Sequence, residues 1–225
     1  MGSVMGNILP EAIAVAISPI PIIALILMLF SKRARVNSLA ILIGWILGLA
    51  AVCAIVMAAG STQNMSPGSG ASSASYGIKI LLGLLLLFMA FRNWKKRPGP
   101  GEQPKMPGWM STIDSIKPGR AFLLAVLLAA INPKNLILTL TATLDVVQRG
   151  LATGQAIIVL AIFIVIASLT IALPVLINLF MGSKSARILD TWKVWLTANN
   201  STVMFILLLV FGVVLLGKGI AGLSG

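Results

Sequence analysis

The residue with the greatest chemical consequence in this chain is Lys134, in the run Ile131-Asn132-Pro133-Lys134-Asn135-Leu136-Ile137. An ammonium set among aliphatic residues is a fixed cation where water is scarce. It suits an anionic group such as a carboxylate or a lipid headgroup. The apolar run around it begins near residue 121 and ends near 144. At 1.5 Å per residue, Lys134 is about 20 Å from one edge and about 15 Å from the other. A lysine stem reaches roughly 6 Å, so snorkelling does not bring it to water. Holding it there costs about 2.5–3.5 kcal/mol. The alternative to a ligand site is a structural pairing with freed carbonyls or a buried acid.

A second run, Ile17-Ser18-Pro19-Ile20-Pro21-Ile22-Ile23, matches the first at an offset of 114 residues. Pro19 meets Pro133, and Ser18 meets Asn132. Proline lacks an N–H and clashes with the carbonyl four residues back, so Pro19 disturbs Val15, Pro21 disturbs Ile17 and Pro133 disturbs Ala129. The residue before proline leaves the helical region, which makes Ser18 and Asn132 the expected kink residues. Backbone groups freed at membrane depth must face protein or a water-lined cavity. Asn135, Thr139 and Thr143 follow Lys134 at helical spacing as a polar stripe, with Thr141 off it. The expected substrate-binding set is Ser18, Pro19, Pro21, Asn132, Pro133, Lys134, Asn135 and Thr139.

Glu11 is the other candidate for chemistry. It is expected either to pair with Lys79 or to serve as a proton-coupling carboxylate. Asp145 is expected to be external and solvated. Pro174, with Ser168 and Thr170, reads as a hinge or a plain kink. The chain has no His and one Cys, Cys53, expected to be a small buried residue. A disulfide framework, a structural zinc site and a His-based triad are excluded. No nucleophile–base pair stands out, so an enzyme is not expected, nor is any metal or cofactor.

These residues need elements to position them, and composition supplies the class. Of 225 residues, 58% are hydrophobic and 10% charged, yet the net charge is +12. Mean hydropathy is +1.03. Such a chain is an all-α integral membrane protein, because lipid tolerates only structures that satisfy their own backbone. Six apolar runs, at about 8–30, 38–60, 77–91, 121–144, 154–181 and 201–217, approach the ~20 residues of a spanning helix. The first lacks the basic start of a cleaved signal peptide. Lys32, Arg33 and Arg35 follow the first run. Arg92, Lys95, Lys96, Arg97, Lys105, Lys117 and Arg120 follow the third, and Lys184, Arg187 and Lys193 the fifth. These thirteen of seventeen Lys and Arg place one set of loops in the cytoplasm, with both termini outside. They act as topology signals and contacts for anionic lipid rather than for nucleic acid.

An odd number of spans per half inverts the second half relative to the first. The expected organisation is a first three-helix repeat (1–91), a basic cytoplasmic loop (92–120) carrying Pro98, Pro100, Pro104 and Pro107, and a second, inverted repeat (121–225). Helices are broken in spans one and four. Inverted repeats with interrupted helices at matched positions point to a transporter site. Residues 61–76 are Ser/Gly-rich and uncharged, and read as an external linker. Trp94, Trp109, Trp192 and Trp195 suggest an interfacial belt, with Trp192 to Trp195 on a short interfacial helix. Gly44 and Gly48 form Gly-xxx-Gly, a spacing that fits a close partner helix in this chain or in a second copy, a homodimer.

The Ser18-Pro19-Ile20-Pro21-Ile22 run, Gly44-Trp45 and Asn132-Pro133-Lys134-Asn135-Leu136 resemble the lysine-exporter (LysE) superfamily. They look closest to its GAP branch, mycobacterial proteins named for addressing glycopeptidolipid or sulfolipid. The resemblance covers roughly residues 5–217. It implies two inverted three-helix repeats in the plasma (inner) membrane of a prokaryote. It also implies export of a small or amphipathic substrate, anionic or lipid-linked, by alternating access. The runner-up is an accessory membrane protein that assists glycolipid export without carrying the substrate. A channel is a further alternative, although no ring of pore-lining charge is visible. Without an ATP-binding motif, energy would come from an ion gradient or a partner.

Overall fold

The computed structural model describes residues 2–31, 33–62, 70–95, 97, 99, 108, 110, 113 and 116–224. Among these the protein is helical, with no strands. The elements are α1 (Gly2–Ala16), α2 (Pro19–Leu29), α3 (Ala34–Thr62), α4 (Gly70–Lys95), α5 (Pro118–Ala130), α6 (Pro133–Gln148), α7 (Thr153–Met181) and α8 (Ser185–Ser224). Helices α3, α4, α7 and α8 are each long and apolar enough to cross a bilayer. The pairs α1–α2 and α5–α6 qualify as bent units, with bends of 49° and 60°.

The bends fall where proline dictates. Helix α2 opens on Pro19 after the extended Ser18, and α6 opens on Pro133 after Asn132. Proline is favoured at the first helical position because its missing N–H has no partner there in any case. The Asn132 side chain caps α6 by accepting from the Lys134 N–H at 3.1 Å. Two further helix ends use glycine turns. Gly150 (φ 60°) separates α6 from α7, and Gly182 (φ 54°) ends α7, both in the left-handed region that L side chains rarely adopt. Pro174 lies inside a continuous α7, so no second break forms there.

Large apolar side chains cover the outer surface, Phe180 being 80% exposed and Ile55 69%. That is an interior-like composition turned outward, as lipid requires. Inside, α4 runs along α8 and α3 along α5, while α1 packs on α6 and α7. Helix α2 lies against α8, and α6 touches α4.

Two seams rest on glycine. A Cβ on Gly48 would sit 2.9 Å from the Ala129 Cβ, and one on Gly44 would strike the Phe122 carbonyl. The Gly-xxx-Gly partner is therefore α5 of the same chain, which leaves the pair no free face for a second copy. The second seam escaped the sequence. Gly83 meets the Gly212 backbone, and Gly219 meets the Tyr76 backbone, between α4 and α8.

Several boundaries differ from the apolar runs. The predicted linker 61–76 is helical at both ends, through Thr62 and from Gly70. Packing of Tyr76 on Gly219 and Gly222 holds the start of α4 helical although its residues are small and polar. Residues 63–69 lie outside the described set, as do Lys32, Lys96, Lys105, Trp109 and the four loop prolines. Trp192 and Trp195 are not on a separate interfacial helix. They belong to the 40-residue α8, which at 1.5 Å per residue is about 60 Å long and outreaches a bilayer.

Candidate functional site

Breaking α1 at residue 16 orphans its last carbonyls, which a buried helix end cannot leave unpaired. Each finds a specific donor. The Ile13 carbonyl keeps its normal partner, the Ile17 N–H, at 2.9 Å. The Val15 carbonyl accepts from the Ser18 hydroxyl at 2.7 Å. The Ala16 carbonyl accepts from the Ser18 N–H at 2.8 Å and from the Thr170 hydroxyl of α7 at 2.5 Å. The Ala14 carbonyl accepts from Lys134 Nζ, as does the Ile17 carbonyl at 3.0 Å. The ammonium of α6 thus caps the C-terminus of α1, the end where the helix dipole favours a cation.

The second break is closed by its own neighbour. The Ile131 and Asn132 N–H groups both turn to the Leu127 carbonyl. The Leu128 carbonyl accepts from Asn135 Nδ2 at 3.0 Å, and Asn135 Oδ1 accepts from the Ser18 hydroxyl at 3.1 Å. Ser18, Lys134 and Asn135 therefore meet at one point, where the two breaks cross. All three are buried, Lys134 being 1% exposed. Of the expected set, Pro19, Pro21 and Pro133 shape the breaks, and Asn132 spends its side-chain oxygen on capping α6. Thr139 is buried one turn further along α6, and its hydroxyl has no partner among the described residues. Ser168 on α7 is buried with an equally unpartnered hydroxyl. Thr141 and Thr143 bond the Ile137 and Thr139 carbonyls of their own helix. Cys53 is buried and accepts from Thr143 at 3.5 Å. Trp45 is buried and donates to the Ala167 carbonyl at 3.3 Å.

The expected Glu11–Lys79 pair is not formed. Glu11 Oε1 pairs with Lys218 Nζ at 2.6 Å, and Lys79 pairs with Asp145 Oδ1 at 2.5 Å. Lys218 also reaches Asp145 Oδ2 at 3.0 Å. Asp145 is buried, not solvated, because α6 runs a turn past the apolar segment and turns its carboxylate onto two lysines. Lys79 continues the chain of contacts to Gln148 Oε1 at 2.8 Å, and Gln148 donates to Ser75 at 2.6 Å. Lys218 lies just past the last apolar run. Nothing in its local sequence marked it as a partner, since its acids are 73 and 207 residues away.

The interior thus holds two carboxylates, Glu11 and Asp145, against three ammonium groups, Lys79, Lys134 and Lys218. The four charges of the ionic cluster balance. Lys134 remains with only carbonyl partners, and no described acid contacts it. Among the described residues, no group of three or more His, Cys, Asp and Glu side chains could hold a metal ion.

Broken helices crossing at a buried lysine, inside a bundle coated with aliphatic side chains, define a multi-pass helical membrane protein with an interior polar site. The family model for Sap, the sulfolipid-1-addressing protein, matches residues 8–221, and the chain belongs to that family. No curated protein and no solved structure gives a significant match to it.

Proposed function

We propose that this protein is a secondary transporter, an exporter that carries an amphipathic substrate with an anionic headgroup past Lys134 by alternating access. The observation that carries this is the uncompensated ammonium of Lys134. A buried charge is normally balanced by a counter-ion, and here two backbone carbonyls stand in for one. An arriving carboxylate, sulfate or phosphate would supply the missing charge and release the Ala14 and Ile17 carbonyls. Binding would thereby loosen the α1 break and couple occupancy to movement. Ser18, Asn135 and Thr139 would add hydroxyl and amide donors. The family's association with a sulfolipid agrees with an anionic, lipid-linked cargo.

The architecture that this reading takes for the chain is six spans in two inverted repeats, each bent pair counting as one span. Under the exchange of α1–α4 with α5–α8, α3 on α5 corresponds to α7 on α1, and α2 on α8 to α6 on α4. With Arg33, Arg35, Arg92, Lys117, Arg120 and Arg187 at one end of the bundle, that end would be cytoplasmic and both termini external. The membrane would be the inner membrane of a prokaryote.

The test uses protein reconstituted in vesicles with a fluorescent sulfated glycolipid, and follows its passage between leaflets. Wild-type protein should move the lipid, and Lys134→Met should not, while keeping its fold. Undiminished movement by Lys134→Met would overturn the lysine's role. If the purified protein moves no probe but co-purifies with a lipid transporter, the accessory role replaces the carrier.

A further inference from the structure

The ionic cluster lies well away from Lys134. Asp145 is eleven residues along α6, about 16 Å at the helical rise. Buried Thr139, Thr141 and Thr143 occupy the helix between them. The cluster ties together four helices at one end of the bundle: Glu11 from α1, Lys79 from α4, Asp145 from α6 and Lys218 from α8. Helix α7, which also packs on α1, carries no charged residue. Three of the four carboxylate oxygens are paired. The fourth, Glu11 Oε2, is fully buried and has no hydrogen-bond partner among the described residues. An unpartnered carboxylate oxygen is an unfavourable thing to bury, and a proton is the smallest ligand that satisfies it.

We propose that Glu11 is a proton-binding site whose occupancy unlocks this end of the bundle. With Glu11 ionised, the cluster is neutral and Lys218 is shared between Glu11 and Asp145. A proton taken from water onto Oε2 converts the carboxylate to a neutral acid. No other bond forms or breaks. The cluster then carries one excess positive charge, the Glu11–Lys218 ion pair is lost, and Lys218 keeps Asp145 and a single hydrogen bond to the Asn7 carbonyl of α1 at 3.1 Å. Held to α8 by that one neutral acceptor in place of an ion pair, the outer half of α1 moves more readily against α6, which opens the polar stripe between Asp145 and Lys134 to water. The proposal supplies the coupling ion for the transporter reading, on which its role in transport rests, but the lock itself is measurable without any cargo.

The experiment places a single cysteine at Thr139, in a Cys53→Ala background, in lipid nanodiscs. Its modification by an anionic methanethiosulfonate is compared with that of a cysteine at Ala152, an exposed position at the same end. Taking the ratio cancels the reagent's own pH dependence. The ratio should rise as pH falls from 8 to 6, by at most about tenfold per pH unit for one proton. Glu11→Gln should give the high ratio at both pH values. Asp145→Asn, which leaves the Glu11–Lys218 pair in place, should keep the pH dependence. A flat ratio in the parent protein would overturn the proposal, as would a rise that survives Glu11→Gln. Should Glu11→Gln fail to fold, Glu11→Asp serves instead. The shorter acid sits at a different distance from Lys218, which changes its affinity for the proton, and an unmoved midpoint would overturn the proposal. Failure of Lys134→Met to stop lipid movement would leave these readouts unaffected, so the two ideas fail separately.

Discussion

Substituting Lys134 by Met removes the ammonium while keeping an unbranched stem of similar length. Two carbonyls, Ala14 and Ile17, lose their donor. At about 1–3 kcal/mol for each buried group left unsatisfied, the loss is roughly 2–6 kcal/mol. Against it stands the cost of keeping a lysine at mid-helix, about 2.5–3.5 kcal/mol, which the variant no longer bears. The net change lies between about 1.5 kcal/mol stabilising and about 3.5 kcal/mol destabilising. With about 2–4 °C of melting temperature per kcal/mol for a chain of this size, any fall in melting temperature should not exceed about 14 °C. Melting in detergent micelles, followed by tryptophan fluorescence, gives the number. Glycolipid movement in vesicles gives the function from the same preparation. The expected outcome is a folded protein that melts within that range and carries nothing. A collapse far beyond it would show that the lysine's whole work is to hold the α1 break, and the ligand assignment would fall with it.

Other substitutions separate packing from chemistry. Gly44→Ala should destabilise by about 1–3 kcal/mol, because its Cβ meets the fixed Phe122 backbone. Gly77→Ala, with nothing within 4 Å, should be neutral or stabilising by up to about 1 kcal/mol; thermal melts of the two side by side test the seam. Asn135→Ala removes the donor to the Leu128 carbonyl and the acceptor for Ser18, and should cost about 1–3 kcal/mol in the same assay. Cys53 should resist maleimide in the folded protein and react once the bundle is unfolded in a strong detergent, since its thiol is buried against Thr143.

What could be read from the chain was what is written locally. Apolar runs mark the spans, and a proline after Ser18 or Asn132 marks where a helix restarts, because both signals act within a turn or two of themselves. The burial of Lys134 followed from depth alone. Its partners did not, since which carbonyls it reaches depends on how α1 is rotated against α6. The same gap produced the wrong partner for Glu11 and the solvated placement of Asp145. Ion pairs between distant helices are set by register and rotation, which composition does not record. The glycines of α4 and α8 were missed for a related reason. Gly83 has no glycine four residues before or after it, so it makes no Gly-xxx-Gly, and its match with Gly212 is visible only when the two backbones are laid together.

Those glycine seams bear on how cargo could enter. Where α4 meets α8 and α3 meets α5, backbone touches backbone, and even an added methyl group collides. No acyl chain can slip through such a contact. Two walls of the bundle are thereby closed to the bilayer, and on the transporter reading a substrate that keeps its tails in lipid while its headgroup travels inside would have to use a different side. The route of a greasy passenger is constrained here by residues that have no side chain at all.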